Sequence, residues 1–121
     1  MGHRMGLLHR LTASSERLDA AELESEVDNT PRCSKVKTLA LGEMADVVGR
    51  LRSVVYTPNE NVPVLEAELF DGSAPMQLVW LGRRRIAGIE PGRKVRARGR
   101  VGLHDGKLAI YNPWYELQCG A

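Results

Sequence analysis

Between Lys94 and Val101 polar and apolar residues alternate without a break. Lys94, Arg96, Arg98 and Arg100 are interleaved with Val95, Ala97, Gly99 and Val101. A period of two predicts a β-strand with one apolar and one cationic face. The period recurs upstream. Over Val47–Val55, Val47, Leu51 and Val55 share one face, and Val48, Arg50, Arg52 and Val54 the other. Gly49 within that strand predicts a bulge or sharp bend. Over Val64–Phe70, Leu65, Ala67 and Leu69 alternate with Glu66 and Glu68, and Asp71-Gly72-Ser73 signals a hairpin into a third strand, Pro75–Leu81. His104-Asp105-Gly106 turns the fourth strand, Lys94–Val101, back into a fifth, Lys107–Tyr111.

The segments between are equally legible. Tyr56–Pro63 is a loop by composition. Within Gly82–Gly92, Arg83-Arg84-Arg85-Ile86 predicts a helical turn and Glu90-Pro91-Gly92 a tight turn. Asn112-Pro113-Trp114-Tyr115 breaks regularity and leaves a short tail. Residues 1–30 hold no aromatic residue, and their acids gather late, from Glu16 to Asp28. Asp19 and Glu22 form a capping pair that predicts a helix over 20–27, with Leu23 and Val27 on one side. Asn29-Thr30-Pro31 ends it, because the residue before proline is pushed out of the helical region. The expected organisation is an N-terminal helical arm over 1–37 and one β domain over 38–121. Five strands, a helical link and glycines at 49 and 99 describe a small closed barrel whose strands bend around its corners.

Charge sharpens the picture. Residues 83–100 hold eight of the seventeen Lys and Arg and a single acid, Glu90, while the rest of the chain holds nine cations and fourteen acids. This is a local basic patch on a slightly acidic body. Four like charges along one strand edge repel each other, and the arrangement makes sense if a polyanion crosses them. Cys33 and Cys119 match no metal-ligand spacing and are expected as free thiols. No apolar run approaches a membrane span or a signal-peptide core, so a cytoplasmic protein is expected.

Across residues 47–117 the ordered signals V-V-G-R-L-R-S-V, L-E-A-E-L-F-D-G-S, L-V-W-L-G, E-P-G-R-K-V-R-A-R-G-R-V and G-K-L-A-I-Y-N-P-W-Y-E-L resemble the OB-fold of the tRNA-synthetase/helicase type. They look especially like the wedge domain of the RecG branch-migration helicase and the small stand-alone OB-fold proteins of actinobacteria. The resemblance implies an all-β, five-stranded OB-fold Greek-key barrel that binds single-stranded or branched nucleic acid. It implies no helicase activity, since no phosphate-loop motif is present. Such a fold also hosts protein contacts, so the site must carry the functional argument.

The OB order implied by the resemblance pairs strand one with strand four. Arg50 and Arg52 would then flank Lys94, Arg96, Arg98 and Arg100 in a cationic strip suited to phosphate oxygens. About four neutralised phosphates would give a log–log salt slope near −3 on single strands, at roughly 0.7 per contact. Against this stands a merely solvated face of charges, relieved across the sheet by Glu66 and Glu68. Those two glutamates also lie on strand two, where the binding surface of most OB folds is centred. Arg83, Arg84 and Arg85 in the link, and Lys107 after the fourth strand, are further phosphate contacts. Tyr56 and Trp114 are candidate stacking platforms, worth roughly 1–3 kcal/mol per base. Trp80 is expected inside the barrel, and His104 in a turn hydrogen bond. No metal, cofactor or catalytic group is expected, because His3, His9 and His104 are dispersed and no nucleophile has a base beside it. The reading is a non-enzymatic module for single-stranded or junction DNA, with RNA as the other candidate polymer. The alternative is a protein-interaction module that uses the barrel and the acidic arm. A third idea has the arm folding over the basic strip.

Overall fold

The computed structural model describes residues 20–24, 33–58 and 61–118. A 3-10 turn over Val36–Thr38 precedes six strands: β1 (Met44–Thr57), β2 (Val64–Phe70), β3 (Pro75–Leu81), β4 (Lys94–His104), β5 (Lys107–Tyr111) and β6 (Trp114–Leu117). Hydrogen bonding runs β1-β2-β3-β5-β4, and β4 returns to β1, which closes a five-stranded ring. Every pairing is antiparallel except that of β3 with β5. This is the expected barrel, with strand one on strand four. No helix among the described residues is long and apolar enough to cross a membrane.

Closure rests on β1, whose 14 residues serve two neighbours. Residues from Met44 to Arg50 pair with β4, and those from Arg50 to Thr57 pair with β2. The register shifts between Leu51 and Ser53, so the bulge falls at Arg52, three residues beyond the glycine expected to carry it. An extra residue moves every later side chain to the other face. Val54, expected outward with Arg50, therefore turns inward and packs on the core, while Val55 is half exposed. Gly49 has a different task. A Cβ there would stand 2.5 Å from the Phe70 carbonyl oxygen, so β1 and β2 can approach only through a glycine. Gly99 is closed by Ile110 in the same way.

The barrel is filled by the predicted inward set, among them Val47, Leu51, Leu69, Met76, Leu78, Val95 and Ile110, all 1% exposed or less. Trp80 is buried as expected and meets Tyr115 edge-to-face at 5.9 Å. Two elements differ from expectation. The link from β3 to β4 forms no helix: Ile86 and Ile89 fold inward to plug the barrel, and Arg83, Arg84 and Arg85 stand in exposed irregular chain. Two apolar residues three apart suffice for one turn, closed by Ile89 N–H donating to the Ile86 carbonyl at 3.1 Å. The tail after Asn112 is not irregular. It returns as β6, with Val95 to Arg98 of β4 facing Leu117 to Trp114.

The lower end of the barrel is tied by Asp71, fully buried after β2. Its Oδ1 accepts from Ser73 N–H at 2.9 Å, Ser73 Oγ–H at 2.7 Å and Ala74 N–H at 3.1 Å. Its Oδ2 accepts from Val36 N–H at 2.7 Å, which draws Val36 into the core. Residues 20–24 are helical, bury Leu23, and lie so close to the turn that a Cβ on Gly72 would strike the Ala20 carbonyl. Glu24 pairs with Lys35 at 3.3 Å and Lys37 at 3.9 Å, so this part of the arm docks on the hairpin turn, not on the basic strand. Val27 and the remainder of the expected helix lie outside the described residues.

Replacing Asp71 by alanine removes the acceptor for three buried or half-buried backbone donors. The expected loss is about 2–4 kcal/mol of unfolding free energy, read by urea denaturation. A loss below about 0.5 kcal/mol would show that water replaces the carboxylate.

Candidate nucleic-acid interface

Residues paired across antiparallel strands share a face, so the registers of β1, β4 and β6 build the outer surface row by row. Met44 stands beside Arg100; Asp46, Arg98 and Trp114 form the next row; Val48, Arg96 and Glu116 the next; Arg50 and Lys94 the last. Five cations and two carboxylates thus share one three-stranded face. Of the expected strip, Arg50, Lys94, Arg96, Arg98 and Arg100 are assembled, whereas Arg52, displaced by the bulge, lies beyond the β1–β4 pairing. Trp114 is brought into the strip by β6, a strand that the Asn-Pro pair concealed.

The cations are not equivalent. Asp46 accepts from Arg96 Nε and Nη2, both at 2.9 Å, and from Arg98 Nε at 3.0 Å. Burial alone would raise the Asp46 carboxyl. The hydrogen bonds and charge of Arg96, aided by the Cys33 thiol and Arg98, outweigh it and hold this group below its ordinary value. The same hydrogen bonds hold the Arg96 guanidinium above its already high range. Cys33 donates to Asp46 Oδ1 at 3.5 Å, and burial followed by the Asp46 charge pushes its thiol up to about 11. Relief of the strip therefore comes from Asp46, not from Glu66 and Glu68, the carboxylates named in the competing reading of a merely solvated face. Asp46 sits in register on the strand beside β4, whereas the glutamates lie on β2, which pairs with the second half of β1 and not with β4.

The outer rim of the face is its more exposed part. Arg98 keeps a side chain 45% exposed and lies with Cζ 4.4 Å from the Trp114 ring centroid, within cation–π range. Trp114 itself is 46% exposed. Arg100 Nη1 donates to the Gly42 carbonyl at 2.5 Å, and Arg50 Nη1 to the Gly92 carbonyl at 3.0 Å. The bulge lays Arg52 over the Phe70 ring, Cζ 3.5 Å from its centroid. Carbonyl and ring partners orient these guanidiniums without neutralising them, and each keeps further N–H donors.

Other sequence candidates fall elsewhere. Tyr56 is exposed at the far end of β1, paired with Leu65, about 20 Å along the strand from Arg50. Lys107 is exposed beside His104 at the β4–β5 turn, on the other side of the barrel. Arg83, Arg84 and Arg85 are exposed, and no carboxylate among the described residues pairs with them. His104 reaches beyond its turn, to Tyr111 and to Glu66. The sequence concealed this contact because it joins residues 38 apart.

Neither a protein-family profile nor a curated protein matches the sequence. Among solved structures, the chain is similar to RecG in the structure of RecG bound to a three-way DNA junction. Identity is 25% and the TM-score 0.58, and the match covers 71% of this chain and 12% of the RecG chain. The likeness is thus to one small part of RecG, and it agrees with the resemblance read from residues 47–117.

The folded value of the Asp46 carboxyl lies below that of an unfolded aspartate, about 3.9. Its stabilising contribution is therefore complete above that pH and lost as pH falls through the folded value. Carboxyl NMR titration is expected to place the Asp46 midpoint below about 3.9, and the stability advantage of the native chain over Asp46→Asn to fade below about pH 4. A midpoint at or above the ordinary value would contradict the clamp.

Proposed function

We propose that this chain is a non-enzymatic, cytoplasmic nucleic-acid-binding barrel that lays single-stranded or branched DNA along the outer face of β1, β4 and β6. One observation carries the reading: Arg98, Arg100 and Trp114 stand side by side on that face, exposed and oriented by neighbours. Guanidiniums meet phosphate oxygens and an indole offers a surface on which a base can stack, so one row addresses both parts of a nucleotide. Phosphate contacts and stacking read no base edges, which makes sequence preference low. The likeness to a protein bound to a three-way DNA junction supports DNA, and branched DNA in particular.

The face also changes the expected magnitude. Asp46 holds Arg96 by two hydrogen bonds, so Arg96 positions the strip and is not a phosphate contact. Arg98, Arg100 and one of Arg50 or Lys94 leave two or three contacts, hence a salt slope of roughly −2 on single strands, shallower than the −3 of an unclamped strip.

Fluorescence anisotropy against single-stranded, duplex and three-way-junction oligonucleotides tests the reading. The double variant Arg98→Gln/Arg100→Gln is expected to weaken binding and reduce the magnitude of the salt slope by roughly 1.4. Trp114→Ala is expected to cost roughly 1–3 kcal/mol at constant salt. Unchanged affinity in both, with the fold intact by circular dichroism, would overturn the assignment. An RNA strand bound as tightly as DNA would move the ligand class without moving the site.

A further inference from the structure

In the ring, β3 lies across from the β4–β1 seam, and a second cluster sits there. Tyr111 Oη lies 3.0 Å from the Leu103 carbonyl oxygen and 2.9 Å from His104 Nδ1. A carbonyl oxygen can only accept. All three groups are satisfied when the single phenolic proton goes to Leu103, and Tyr111 Oη then accepts from His104 Nδ1–H. With the proton on Nδ1, neutral imidazole carries its lone pair on Nε2. That nitrogen touches Glu66 Oε1 and lies 3.6 Å from Asp105 Oδ2. A lone pair aimed between two carboxylates is a repulsive arrangement unless a positive charge stands among them.

We propose that Glu66, His104 and Asp105 form a divalent-cation site, with zinc the ion its donor set fits. The three ligand atoms lie within 4.8 Å of one another, the one such grouping among the described residues. Imidazole nitrogen with two carboxylate oxygens suits zinc, and three protein ligands leave a fourth position for water. Bonds of about 2.0–2.1 Å at tetrahedral angles separate ligand atoms by about 3.4 Å. The His104–Asp105 distance of 3.6 Å is near that edge. Glu66, now closer, backs away along its flexible side chain to admit the ion. Asp105 is set beside His104 by the hairpin turn, where Asp105 at φ 53° and Gly106 at φ 77° form the two-residue, doubly left-handed turn. Tyr111 is the positioning residue: it fixes the tautomer and packs edge-on against the imidazole, 5.7 Å between centroids. The site shares no residue with the basic face, so either proposal can fail alone.

The test is calorimetric titration of the full, metal-stripped chain with zinc chloride at neutral pH, with cobalt(II) absorbance as a second readout. One site is expected. His104→Gln and Glu66→Gln should each weaken it at least about tenfold, and Tyr111→Phe, which removes no ligand, by about tenfold or more. Arg98→Gln should leave it unchanged. Nitrogen-15 NMR of His104 adds a readout that a purely structural role would not move: a proton on Nδ1 without metal, and an Nε2 shift on zinc addition. No zinc binding would overturn the proposal. Zinc binding undiminished in His104→Gln would overturn it too, placing the ion elsewhere on the chain. So would a proton found on Nε2 in the neutral ring.

Discussion

One strand hydrogen-bonded to two neighbours is the constraint on which the rest of this barrel depends. β1 closes the ring only because its first half pairs with β4 and its second half with β2. The handover needs a change of direction, and the bulge at Arg52 supplies it while Gly49 lets β2 approach. Each consequence follows from side-chain parity. Before the bulge, Asp46 and Arg50 face outward beside the cations of β4. After it, Ser53 and Val55 share the outer face with Glu68 and Glu66. A single extra residue thus separates a basic face from an acidic one.

The basic face then raises its own electrostatic problem. Like charges two residues apart on a strand are about 7 Å from each other. At an effective dielectric of about 20 they repel by roughly 2 kcal/mol. Asp46 offsets part of this by holding Arg96 and Arg98 together, and hydrogen bonds to its two oxygens fix both guanidiniums in direction. Glu116, facing Arg96 from β6, adds a second carboxylate. The carboxylate that lowers the net charge of the strip is also what orders it. Arg96 is given up to structure, while Arg98 keeps an outward edge and a stacking partner in Trp114.

Much of this was legible in the chain because it is local. Alternation placed the first five strands, the Asp-Gly pairs placed both hairpins, and the parity of Met76, Leu78 and Trp80 put the indole inside. The misreadings share one cause. Arg83-Arg84-Arg85-Ile86 resembles a helical turn, but burying Ile86 and Ile89 against the barrel outweighs a short helix with no partner of its own. Asn112-Pro113 resembles an ending, but the open edge of β4 beyond it recruits four more residues as β6. In both, a non-local surface decided what the local code left open.

By itself the sequence determined the class of fold, the cationic face of the fourth strand and the two Asp-Gly hairpin turns, since each needs only neighbours along the chain. The tertiary structure alone decided which arginines are held and which are presented. It also decided that Trp114 joins them, and that Glu66, His104 and Tyr111 meet. The physical reason is that barrel closure and a one-residue bulge set which side chains become neighbours, and no period along the chain records either.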